Sequence, residues 1–115
     1  MDGRDYIRNL LEYNGWANAQ LYSKVKELPP AEVTKERKTI LISIHVSLNH
    51  LLSVDVIWLA HMQGREHGLT ELRGVIYEDL DELWNARQRM DAEMLGYFEA
   101  LNDENLDEVV DYRLI

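Results

Sequence analysis

An all-α helical bundle is the fold this sequence predicts, and three observations predict it. Apolar residues recur every three to four positions along three long stretches, the spacing of one face of an α-helix. The adjacent Pro29 and Pro30 and the glycines at 64, 68 and 74 fall between those stretches, where chain direction changes. A hydrophobic fraction of 46% beside a charged fraction of 29%, over 115 residues, suits a single domain with one packed core.

The first helix is expected from Asp5 to Leu28, with Ile7, Leu10, Leu11, Ala17, Leu21, Val25 and Leu28 as its stripe. Asp2 and Asp5 suit its start through the helix dipole, and Pro29-Pro30 end it. Asn14 falls inside the stripe. The polar stretch from Ala31 to Thr39 is a connection or the opening turns of the next helix. The second helix is expected from Thr39 to Gln63 and stops at Gly64. Apolar residues from Ile40 to Met62 cover most of its circumference, which predicts a central helix with neighbours on several sides. Residues 64–77 read as a loop. The third helix starts near Glu78 and Asp79, acids suited to a first turn, and runs to Leu101. Its stripe is Leu80, Leu83, Trp84, Met90, Met94, Leu95, Phe98 and Leu101, with Arg87 and Asp91 at helical ion-pair spacing within it. The segment 109–115, from Val109 to Ile115, has the apolar and β-branched content of a short strand.

Charge and composition exclude several functions. With 12 basic against 21 acidic residues, a net charge of −9, no clustered basic surface is available for nucleic acid or for an anionic membrane. The longest uninterrupted apolar run, Val56 to Ala60, is far too short to span a bilayer. The absence of cysteine removes disulfides, thiolate nucleophiles and cysteine-ligated metals. The N-terminus lacks the basic-then-apolar pattern of a secretion signal, so a cytoplasmic protein is expected.

His50 is the residue most in need of a chemical account, because it shares a face with Val46, Val54 and Ile57. An imidazole in such surroundings needs a partner, either a carbonyl or side chain of the core or a metal. Its own helix offers no co-ligand: the positions three and four residues away hold Val46, Ser47, Ser53 and Val54. His45 is about 140° round the helix, and His61 is roughly 16 Å along its axis. Any metal at His50 therefore takes its other ligands from elsewhere. His61 and His67 flank the loop and are expected to be solvated. Asn14, Asp55, Arg87 and Asp91 read as structural polar residues that tie helices together, since a buried carboxylate needs a partner.

Several motifs together resemble a known family. Ser43-Ile44, then Leu48-Asn49-His50-Leu51-Leu52, then Asp55 and Trp58-Leu59, is similar to the second helix of the DinB-like metalloproteins. Tyr13-Asn14, Trp16-Ala17-Asn18 and Leu21 match its first helix, with a looser Leu83, Arg87, Asp91 pattern in the third. The resemblance implies a four-helix up-and-down bundle with a long crossover, and a divalent metal, zinc or nickel, held by three histidines. His50 matches the ligand from the second helix. The other two belong to an H-x-x-x-H on a fourth helix, and no histidine follows His67 here.

The chain is therefore expected to lack that last helix, which also accounts for an odd number of helices around an apolar one. Family members act as metal-dependent thiol S-transferases, thiol-linked isomerases or hydrolases on small molecules, often with a low-molecular-weight thiol. The 115 residues alone are expected to be metal-free and inactive. Two alternatives stand beside this reading: a non-catalytic bundle that self-associates, and a metal shared between the His50 side chains of two subunits. In each case the bare apolar surface of the second helix predicts a homodimer.

Overall fold

In a computed structural model the residues described are 3–112, and among them every regular element is helical. The order is α1 (Gly3–Lys26), α2 (Pro30–Thr34), α3 (Ile44–Met62), α4 (Leu80–Glu99) and α5 (Asp103–Leu106). The three long helices form the bundle: α1 and α3 both pack on α4, and α2 packs on α3. No helix among the described residues is long and apolar enough to cross a membrane.

The core lies where the three helices meet. Tyr22 and Val25 of α1, Leu48, Leu52 and Leu59 of α3, and Leu83, Ala86, Met90 and Met94 of α4 fill it, with Val33 of α2 closing one side. The Tyr22 and Trp84 rings lie 4.8 Å apart across the α1–α4 seam. The Tyr97 hydroxyl donates to the Met62 carbonyl at 3.2 Å, joining α4 to the end of α3.

Five expectations are corrected. The second long helix starts at Ile44 rather than Thr39, because Ser43 caps it: the Ser43 hydroxyl accepts the Val46 amide at 3.0 Å. Just before it Ile42 sits in the left-handed region at φ 71°, a conformation that no α-helix continues through. The polar connection contains a helix of its own, α2, with Pro30 in its first turn.

The stripe of α1 is turned part of the way round the helix. Ile7, Leu11 and Val25 of the expected stripe keep to the inner side and Tyr22 joins them, while Leu10, Leu21 and Leu28 face out. This rotation brings Asn14 and Asn18 against α4. The helix that touches both long partners is α4, not the more apolar α3, whose remaining surface is covered in part by the loop of residues 63–79. The strand expected at 109–115 is absent among its described residues: 109–112 are irregular, with no neighbouring strand to satisfy a β backbone. Residues 113–115 lie outside the described residues.

Candidate functional site

His50 is half-buried in the second turn of α3, facing the loop that returns to α4. Its Nδ1 lies 2.5 Å from the Leu72 carbonyl oxygen. A carbonyl only accepts, so Nδ1 carries the hydrogen, and in the neutral ring Nε2 keeps its lone pair. A metal-ligating histidine commonly has this arrangement: one ring nitrogen donates to a carbonyl, fixing ring and tautomer, and leaves the other to coordinate. Nε2 has no partner among the described residues.

The backbone that holds His50 in place is itself fastened by its neighbour. Asn49 is completely buried at 0% exposure. Its Oδ1 accepts the amides of Ile76 and Tyr77, both at 2.9 Å. Its Nδ2 donates to the carbonyls of His45 at 3.0 Å and Tyr77 at 3.2 Å. His45 Nε2 donates to the same Tyr77 carbonyl at 3.0 Å. Consecutive positions of α3 therefore grip consecutive stretches of the loop, and Leu72 is presented to His50 as a result. The sequence motif contains Asn49, but its role as a loop anchor is set by contacts 27 and 28 residues away. The available signal was an amide side chain four residues after His45 in an otherwise apolar helix.

The remaining polar residues converge about one guanidinium. Arg87, 3% exposed, donates to Asp55 of α3 at 2.5 Å and to Asp91, one turn along α4, at 2.7 Å. Asp91 in turn accepts Asn14 Nδ2 at 3.2 Å and Asn18 Nδ2 at 2.9 Å. One network thus bridges α1, α3 and α4, and Asn18 belongs to it beside Asn14. Tyr22 borders this network; burial pushes its phenol up to about 12, with Arg87 pulling it down and Asp91 pushing it further up.

His61 departs from expectation. It is 7% exposed rather than solvated, packed between the rings of Trp58 at 5.2 Å and Tyr112 at 5.1 Å. The chain after α5 folds back over the end of α3 and covers it, a contact that local spacing carries no sign of.

The three-histidine set that the resemblance implies is tested by these positions. His50 fits one ligand place, in tautomer and in exposure. Among the described residues no three of His, Asp or Glu come together so as to hold a metal ion, so the fit extends to that one place.

Comparison with known proteins gives three findings. The profile of the DinB family matches residues 2–113. The curated "Protein DinB" of Bacillus subtilis (strain 168) is 34% identical over 61 residues, a stretch covering 53% of this chain and 36% of that protein, so the match spans about a third of the relative's length. No solved structure matches.

Proposed function

Since the chain belongs to the DinB family, we propose that it is part of a metal-dependent enzyme acting on a small molecule, a thiol S-transferase or a hydrolase, with His50 as one metal ligand. The observation that carries this reading is the Leu72 carbonyl on His50 Nδ1, which leaves Nε2 free to coordinate. A divalent ion such as zinc or nickel, when bound, lowers the pKa of a ligated thiol or water and yields a nucleophile near neutral pH. Two further imidazoles would come from outside the described residues. His45 and Asn49 hold the loop that orients His50, and the Arg87 network fixes α3 against its partners. A low-molecular-weight thiol suits the cysteine-free chain, and a cytoplasmic setting would keep that thiol reduced.

The test is metal content of the natural polypeptide in full, with His50→Ala and His50→Gln beside it. Stoichiometric zinc or nickel in the parent, lost in both variants while the helical dichroism persists, is the expected result. Retention of the metal by His50→Ala would sink the assignment.

A second reading, a homodimeric helical module, is favoured by a specific surface. Tyr6, Leu10, Tyr13 and Trp16 form an outward row along α1, with Tyr13 64% exposed, and Leu51 of α3 is also exposed. Large apolar side chains aligned in this way mark a surface that another chain covers. Dimerisation is compatible with the enzymatic reading and does not depend on it.

A further inference from the structure

At the far end of α3 from His50 lies a cavity of about 570 Å³, walled by the last turn of the helix, the loop 64–70 and the returning tail. We propose that it binds a small aromatic or alkyl ammonium compound, an organic cation. Its size is that of pockets which take metabolite-sized molecules. Three features of its wall define the ligand.

The first is a buried imidazole nitrogen with no partner. His61 lines the cavity and is 7% exposed, yet its Nε2 is buried without a hydrogen bond to any described residue. A buried polar atom in that state costs stability until something satisfies it, and in the tautomer with the hydrogen on Nδ1 a ligand N–H would do so. The neighbouring His67 meets it only edge to face, with ring centroids 5.5 Å apart, while its Nδ1 accepts the Leu69 amide at 3.0 Å.

The second is charge. Glu66 and Asp111 both line the cavity, and neither forms an ion pair with a described residue. The one lining guanidinium, Arg65, directs Nε to the Gln63 side chain at 2.6 Å. With neutral histidines the wall is therefore net negative, within a chain of net charge −9 whose field draws cations in.

The third is an aromatic face. Tyr112 lines the cavity, with its ring 4.8 Å from that of Trp58 and 5.1 Å from that of His61. The side chain is 58% exposed, and an ammonium group placed over such a ring gains a cation–π attraction. The loop geometry that forms the cavity rests on Gly64 and Gly68, at φ 68° and 75°, where a side chain would be strained. His61 is eleven residues beyond His50, roughly 16 Å along α3, so this cavity is separate from the His50 position.

The test is a two-dimensional NMR titration following the His61 ring and the Gly64 and Gly68 amides. The probes are protonated phenethylamine, its anionic counterpart phenylacetate, and zinc chloride alone. Phenethylammonium is expected to move these resonances saturably, with phenylacetate at least about tenfold weaker. The double variant Glu66→Gln, Asp111→Asn should weaken the amine by about tenfold, and His61→Phe, which keeps the ring packing but removes Nε2, by about fivefold. His50→Ala should bind the amine like the parent, which separates failure here from failure of the metal assignment. Equal or tighter binding of phenylacetate, unmoved resonances, an undiminished affinity in the charge-neutral variant, or zinc displacing the amine would each overturn the proposal.

Discussion

At the residue scale the most demanding position is Asn49, whose one side chain replaces four hydrogen bonds that water would otherwise provide. Asn49→Ala leaves the Ile76 and Tyr77 amides without acceptors. It should cost about 2–3 kcal/mol in denaturant titrations, and hydrogen exchange at those two amides should accelerate more than elsewhere. Arg87→Ala strands two carboxylates, one of them the largely buried Asp91, and should cost about 3 kcal/mol. Asp55, a third of its side chain exposed, is the weaker partner, and Asp55→Asn should cost only about 1 kcal/mol.

Tyr22 gives the fold an alkaline limit. Its phenol is held protonated by burial first of all, and its pKa rises to about 12 in the folded chain against about 10 when unfolded. A group whose folded pKa is raised contributes its full stability below the unfolded value and loses it as pH climbs toward the folded one. Stability should therefore fall between about pH 10 and about pH 12. Tyr22→Phe, which deletes a buried hydroxyl lacking a partner, should be near neutral at pH 7 and should shrink that loss; an unchanged alkaline decline in this variant would count against the account.

At the scale of elements, helices are set by signals of two kinds. Their interiors were legible because apolar spacing is a repeated, local statement. Their ends depend on single capping side chains: Asp79, which accepts the Glu82 amide at 2.9 Å, coincides with the acidic start expected for the third long helix, whereas the Ser43 cap lies four residues beyond the expected start at Thr39. Ser43→Ala should cost about 1 kcal/mol and fray the first turn of α3, visible as lost protection at Val46. The rotational setting of α1 was illegible for a different reason. Its sequence offers two rival apolar rows one residue apart, Ile7, Leu11 and Tyr22 against Leu10, Leu21 and Leu28, and the choice between them is made by Asn14 and Asn18 reaching Asp91 from 77 and 73 residues away. Likewise the burial of His61 depends on Tyr112, a contact across half the chain that no window of sequence contains.

At the scale of the molecule, the all-α class and the membership of its family could be read from residues alone, since both rest on patterns within single helices. The helix at the centre of the packing could not. Apolar circumference singled out α3, yet coverage of α3 is shared among α4, α2 and an irregular loop, while α4 holds the two long partners. The exposed row on α1 has a consequence at this scale. Sedimentation should show a dimer that tightens with protein concentration, and Leu10→Glu with Tyr13→Glu should return it to monomer with its helical content intact. A monomer at high concentration in the parent would remove the second reading.

The loop of residues 63–79 is hydrogen-bonded to α3 at Leu72, Ile76 and Tyr77 through its main-chain atoms, by side chains that all belong to the helix. Its route is thus written largely in α3, and those of its residues that neither pack on the core, as Tyr77 does, nor need a positive φ, as Gly64 and Gly68 do, are free to drift. Relatives that keep His45, Asn49 and His50 can rewrite the loop's side chains, and with them whatever the loop presents to solvent, while its path stays as it is. The same division makes its exposed positions, such as Thr70, Glu71 and Arg73, natural places for foreign side chains.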